Sequence, residues 1–221
     1  MNIISSKGTL LKQDADTYII FMMNDSFEDT RENATHQLDT AIDGQLKGIV
    51  ESGDFGGKQE ATLVLYPHNN DVTAKGVIVV GLGAVDKFTS DIAQRCVAVG
   101  IKKANNLKAK VVATITLGTG RGNLDATESA RCITEGALLG LYHYHGQKTD
   151  DAPENNIETI QICSYDNDMS AIEDGIKLGE AFAAGAILTR NLVNLPPNIC
   201  TPDYMGQQAS EMANQVGLKV D

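Results

Sequence analysis

Two stretches of the chain are almost continuously apolar, "GVIVVGL" at 76–82 and "VVATITL" at 111–117. An unbroken apolar strand needs cover on both faces, and a parallel sheet between helical layers supplies it. Three further runs read as strands: "TYIIFM" (17–22), "ATLVLY" (61–66) and "IETIQIC" (157–163). The last alternates apolar and polar, so a half-exposed or edge position is expected for it. Helical patterns lie between the strands. One spans Asn33 to Glu51, and another starts near Thr89 or Ser90 with Ile92, Cys96 and Val99 on one face. A third opens at Asp125 with Glu128 three residues on, a capping-box spacing, and buries Ala130, Ile133, Ala137 and Leu141. A fourth opens at Ser170 with Glu173, and turns Ile172, Ile176, Ala183 and Ile187 inward. Regular alternation of strand and helix predicts an α/β fold, with a mixed, mostly parallel sheet flanked by helices.

Composition narrows the function classes. The net charge of −11 opposes nucleic-acid phosphates and anionic lipid, so neither partner is expected. Cys96, Cys132, Cys163 and Cys200 contain no CxxC pair and suggest no disulfide framework, which suits a reducing, cytoplasmic home. The start, "MNIISSKGTLLKQDAD", lacks the basic and apolar parts of a secretory signal. The apolar run "AFAAGAIL" falls well short of the ~18 residues of a membrane span.

Several motifs invite chemistry. In "VVGLGAVDKF" (79–88), Gly81 and Gly83 match the start of a dinucleotide fingerprint. The third glycine position holds Asp86, so the stretch reads as a strand ending in a glycine turn before a helix. "LGTGRGNLD" (117–125) is the better anion cradle. Gly118, Gly120 and Gly122 alternate between a buried strand and a helix start, and Arg121 stands among them. Backbone N–H groups there could hold a phosphate; the alternative is a turn whose Asp125 caps the helix. "YHYH" (142–145) reads as a helix end rather than a metal site, with no Cys or carboxylate close by in sequence. GxSxG and HExxH are both absent. Gly175, Gly179 and Gly185 in the last long helix point to close helix packing. That helix runs into "RNLVNLPPNICTPDYM" (190–205), where Pro196-Pro197 stops it and Thr201-Pro202 starts another.

This last region carries a resemblance. "GEAFAAGAILTRNLVNLPPNICTPDYMGQQASEMANQVGLKV" (179–220) resembles the interdomain region of the leucyl aminopeptidases, the cytosolic dinuclear metalloexopeptidase family. In that family a long helix ends in a pattern like R-D-L-V-N-x-P-P-N, followed by T-P and a new helix. Arg190, Leu192, Val193, Asn194, Pro196, Pro197, Asn198, Thr201 and Pro202 fit it, with Asn191 at the usual acidic position. "GDFGGKQEATLVLY" (53–66), "GVIVVGLGAVDKFT" (76–89) and "TEGALLGLYHYHGQKTD" (134–150) are similar to the family's N-terminal domain, in the expected order.

The resemblance implies a macro-domain-like, non-catalytic domain over residues 1–168, an interdomain helix over 169–195, and the start of a truncated catalytic domain over 196–221. The family holds two divalent cations, manganese or zinc, in segments like V-G-K-G-x-T-F-D-S-G-G and N-T-D-A-E-G-R. Neither occurs here, so no catalytic or metal-binding residue is carried over and the chain alone is expected to be inactive. The parent would remove N-terminal residues, often Leu, from peptides as a cytosolic homohexamer. This chain would then contact its own catalytic domain and neighbouring subunits. Two alternatives remain at this point: a macro-domain-like module binding ADP-ribose or another nucleotide through "LGTGRGNLD", and a purely structural oligomerisation domain.

Overall fold

The computed structural model describes every residue except 30, 32, 69–70, 147–148, 150–152, 165–168 and 220–221. Six strands form one sheet: β1 (Asn2–Lys7), β2 (Thr17–Met23), β3 (Thr62–Leu65), β4 (Gly76–Gly83), β5 (Val111–Ile115) and β6 (Thr159–Ser164). Their order is β1-β6-β5-β2-β4-β3. All neighbours are parallel except β3, which runs antiparallel to β4 at one edge. The α/β class and the mostly parallel sheet read from the sequence are those observed.

The pleat divides each strand's side chains between two cores. Ile19, Ile78, Val80, Val112 and Ile160 face one side. There they meet Ala93, Cys96, Val97 and Ile101 of α3 (Ser90–Asn106), and Ala130, Ile133 and Ala137 of α4 (Ala126–Gly140). Ile172 and Ile176 of α5 (Met169–Val193) join the same cluster. Tyr18, Ile20, Val77, Val79 and Ala113 face the other side, against Leu38 of α1 (Ala34–Ala41) and Leu46 of α2 (Gln45–Glu51). Covered on both faces, β4 is buried over seven of its eight residues.

The helix starts predicted at Asn33, Thr89 and Asp125 hold, whereas Ser170 lies inside α5 and does not cap it. Thr89 Oγ1 accepts from Ile92 N, and Asp125 Oδ1 accepts from Glu128 N at 2.8 Å. Glu128 does not reach back to complete a capping box. Its carboxylate accepts from Ser90 of α3 at 2.7 Å and from Arg131. Arg131 also pairs with Glu135, and its guanidinium lies 5.6 Å from the ring centroid of Phe182. One arginine thus ties α3, α4 and α5 together.

Several expectations are corrected. "IETIQIC" is an interior strand, because β1 pairs along its outer side and takes the edge. The single helix expected over 33–51 is two, broken where Asp43 and Gly44 take left-handed backbone at φ 56° and 77°. Gly81 lies inside β4 rather than in the turn after it, whereas Gly83 ends the strand with left-handed backbone at φ 79°. The backbone of residues 57–61 lies against them: Gly83 N donates to Gly57 O, and Glu60 N to Gly81 O, both at 2.9 Å. A Cβ at Gly81 would run into that segment, which explains the glycine without a cofactor. In α3 the buried stripe is centred on Ala93, Cys96, Val97 and Gly100, with Ile92 and Val99 at its margins. Of the three glycines in α5, Gly175 and Gly179 pack on α4, where an added Cβ at Gly179 would come within 2.6 Å of Thr134. Gly185 has nothing within 4 Å, so close packing does not account for it.

The chain divides into two compact units, residues 1–142 with 154–183, and residues 143–153 with 184–221. The first contains the sheet. The second contains the last turns of α5, where Ile187 is half-buried rather than buried, and α6 (Pro202–Val216). Between these helices, Asn194 donates through both its backbone N and its Nδ2 to Arg190 O, at 3.1 and 2.7 Å. After the prolines, Ile199 N and Cys200 N donate to Pro196 O, and Thr201 Oγ1 caps α6 by accepting from Tyr204 N. Pro202 stands in the first turn, where its missing N–H costs nothing.

Candidate functional site

Strand β2 lies between β5 and β4. The chain leaving β2 travels to the β4 side, and the chain leaving β5 travels to β6 on the other side. Loops that part in this way leave a crevice at the carboxyl ends of the strands, the usual ligand position in open α/β sheets. A cleft of about 470 Å3 occupies this place in the first unit. Phe21, Met23, Leu82, Ile115 and Leu117 give it apolar walls, and residues 118–121 form part of its rim.

The glycine loop is anchored at both ends. Thr116 N donates to Cys163 O at 3.2 Å, and Leu117 N donates to the buried Ser129 Oγ at 2.7 Å. Gly122 N and Leu124 N both return to Gly118 O, at 2.9 and 3.2 Å. Gly118 and Gly122 are glycines because Phe88 lies against them: an added Cβ would come within 2.6 and 2.5 Å of its ring. Gly120, at φ 88°, faces open space. Of the candidate anion-binding residues, Gly118, Gly120 and Arg121 therefore line the cleft, while Gly122 packs behind it.

Arg121 is already engaged. Its Nη1 donates to Asp25 Oδ1 at 3.0 Å, its Nη2 pairs with the other oxygen, and its Nε is 3.5 Å from Asp29 Oδ2. Asp29 also accepts from the Nε and Nη2 of Arg31, each at 3.1 Å. The bond from Arg31 holds the Asp29 carboxyl below the usual range, and the bond to Asp25 holds the Arg121 guanidinium above its own. This staple joins the glycine loop to the loop after β2. Sequence reasoning missed Asp25, Asp29 and Arg31. The signal available was the charged stretch "NDSFEDTREN" between a strand and the helix cap Asn33.

No three His, Cys, Asp or Glu side chains converge on a metal-sized site among the described residues. His143 and His145 follow the end of α4 in non-helical backbone, in the second unit. The described residues therefore do not fit a dinuclear metal centre, and no chemical step is assigned to them. No described helix is long and apolar enough to cross a membrane.

Fold and cleft together define an α/β domain of the doubly wound kind, with a ligand-sized crevice at the carboxyl ends of its strands. Residues 20–151 match the cytosol aminopeptidase family, N-terminal domain. The chain is 35% identical over 187 residues to a "Probable cytosol aminopeptidase" of Alkaliphilus oremlandii, covering 83% of this chain and 37% of that protein. It is 33% identical over 189 residues to the cytosol aminopeptidase of Pseudomonas aeruginosa, again over 83% of this chain and 37% of the relative. A relative in Trichormus variabilis, 31% identical, is matched along 100% of this chain and 43% of its own length. A mutant of tomato leucine aminopeptidase superposes with a TM-score of 0.78 at 22% identity, over 97% of this chain and 42% of that one. The bottromycin maturation enzyme BotP gives 0.66 at 20% identity, over 93% and 38%. At those identities the two structures show the fold alone. The chain belongs to the cytosol aminopeptidase family, and what it matches there is the N-terminal domain region. The comparisons favour this family over a stand-alone nucleotide-binding module. The chain spans about two fifths of the length of these relatives, 37–43%.

Proposed function

We propose that this chain is the non-catalytic N-terminal portion of a metal-dependent leucyl aminopeptidase. The observation that carries the reading is the family match over residues 20–151, in a chain that covers 37% of relatives named as cytosol aminopeptidases. The parent would release N-terminal residues, often Leu, from peptides in the cytoplasm. Two divalent cations, manganese or zinc, would sit in its remaining length; such ions polarise a carbonyl and activate water. The residues of this chain enter none of those steps, and the chain by itself is inactive. Residues 1–168 form the domain proper, 169–195 the interdomain helix, and 196–221 the first segment of the catalytic part. Arg190, Asn194, Pro196, Pro197, Asn198, Thr201 and Pro202 make the joint, whose turn at Pro196 fixes the direction in which α6 departs. The catalytic domain and the other subunits of a homohexamer are the partners.

The test is hydrolysis of leucine p-nitroanilide by a polypeptide that continues this chain to the length of its relatives. Turnover that needs manganese or zinc and is abolished by EDTA is expected. A well-folded extended protein that leaves the substrate intact with either metal would overturn the reading.

A further inference from the structure

We propose that the cleft at the carboxyl ends of β2, β4 and β5 binds a phosphorylated small molecule of nucleotide size, gripped by the backbone of residues 118–121. The proposal does not rest on the peptidase reading. It stands on the distribution of hydrogen-bond donors around the loop. The N–H groups of Thr116, Leu117, Gly122 and Leu124 each have an acceptor. Those of Gly118, Thr119, Gly120 and Arg121 donate to no acceptor among the described residues. The open donors are thus four in a row, and all four residues line the cleft. Gly118 and Gly120 are left-handed, at φ 73° and 88°, and Thr119 between them is not. Alternating hand turns successive N–H groups toward one concave side, an arrangement that holds anions.

The ligand's chemistry follows from the number of donors and the walls. A carboxylate presents two oxygens, and a phosphoryl group presents three or more to the same run of donors. A bare phosphate would leave most of the 470 Å3 empty, whereas this volume lies in the range of small-molecule sites, roughly 300–1,000 Å3. Phe21, Met23, Leu82 and Ile115 provide apolar surface for an organic body. Charge has a secondary part. Arg31 and Arg121 are balanced by Asp25 and Asp29, so the rim attracts through N–H dipoles rather than net charge. Arg121 acts as a positioning residue, stapling the loop to its neighbour before the ligand arrives. A nucleoside diphosphate satisfies all of these requirements.

Calorimetric titration of this chain with ADP, pyrophosphate and adenosine tests the assignment. ADP is expected to bind saturably, pyrophosphate to compete more weakly, and adenosine to bind roughly tenfold or more weaker than ADP. Amide resonances of residues 118–121 should move on adding ADP, a readout that needs no variant. Gly120→Asp places a carboxylate in the cradle and should weaken ADP roughly tenfold or more. Gly120→Asn, equal in size and strain but uncharged, should weaken it less. No saturable binding of ADP, or amides of 118–121 that stay in place, would overturn the proposal. Adenosine equal to ADP would remove the phosphate grip, and pyrophosphate equal to ADP would remove the organic body.

Discussion

Two glycines in one helix should respond oppositely to the same substitution. Alanine in place of glycine inside a helix is favoured by about 1 kcal/mol, because it restricts the unfolded chain and adds no strain of its own. At Gly185 nothing lies within 4 Å of the new methyl, so Gly185→Ala should realise that gain. At Gly175 the methyl would stand 2.7 Å from Ala130 Cβ and press on the carbonyl oxygen of Thr127. Neither neighbour can rotate away, since one is a Cβ and the other is helix backbone. The α4–α5 contact must open, and overpacking of this kind costs ~1–3 kcal/mol. Gly175→Ala should therefore be destabilising by about 1 kcal/mol after the helix term is subtracted. For a chain of this size that is a fall in Tm of roughly 2–4 °C. Thermal unfolding followed by far-UV circular dichroism reads both variants, and hydrogen exchange of the α5 amides locates the change. A Gly175→Ala protein as stable as, or more stable than, the original would refute the packing argument.

Two other responses are expected. Glu128 is held down to about 2, chiefly by its bond from Arg131, against an ordinary value of 4.5. A depressed carboxyl contributes stability above 4.5 and loses it as pH falls toward 2, so Arg131→Met should flatten the acid limb of the stability profile. Glu135, pushed up by burial, works with the opposite sign; carboxyl resonances titrated by NMR separate the two. Burial raises the thiols of Cys96 and Cys132 to about 11 and that of Cys163 to about 12. Ellman's reagent should therefore modify only Cys200 in the folded chain and all four cysteines in denaturant; fast reaction of a second thiol before unfolding would contradict the buried assignment.

What could be read from the sequence was the part that local chemistry decides. The apolar runs became β4 and β5, and Thr89 and Asp125 became caps, because cap and strand signals act over a few residues. Strand β1 escaped notice because only Ile3 in "NIISSK" is buried, and Ile4 stays 45% exposed at the sheet edge. Missing it displaced β6 to the edge in turn. The break between α1 and α2 had a local signal, the Asp43-Gly44 pair, outweighed by apolar spacing that continues through Ile42 and Leu46. Gly81 was misread because its reason, the backbone of residues 57–61, is a tertiary neighbour. The glycine loop announced itself. Its partner did not, since Asp25 lies 96 residues from Arg121 and only the sheet brings them together.

On the proposed function, this chain is a domain of an aminopeptidase and not its catalyst. Purified and supplied with manganese or zinc, it should leave leucine p-nitroanilide at the rate of buffer alone. Metal-dependent turnover that co-purifies with this chain and vanishes with EDTA would contradict the claim directly.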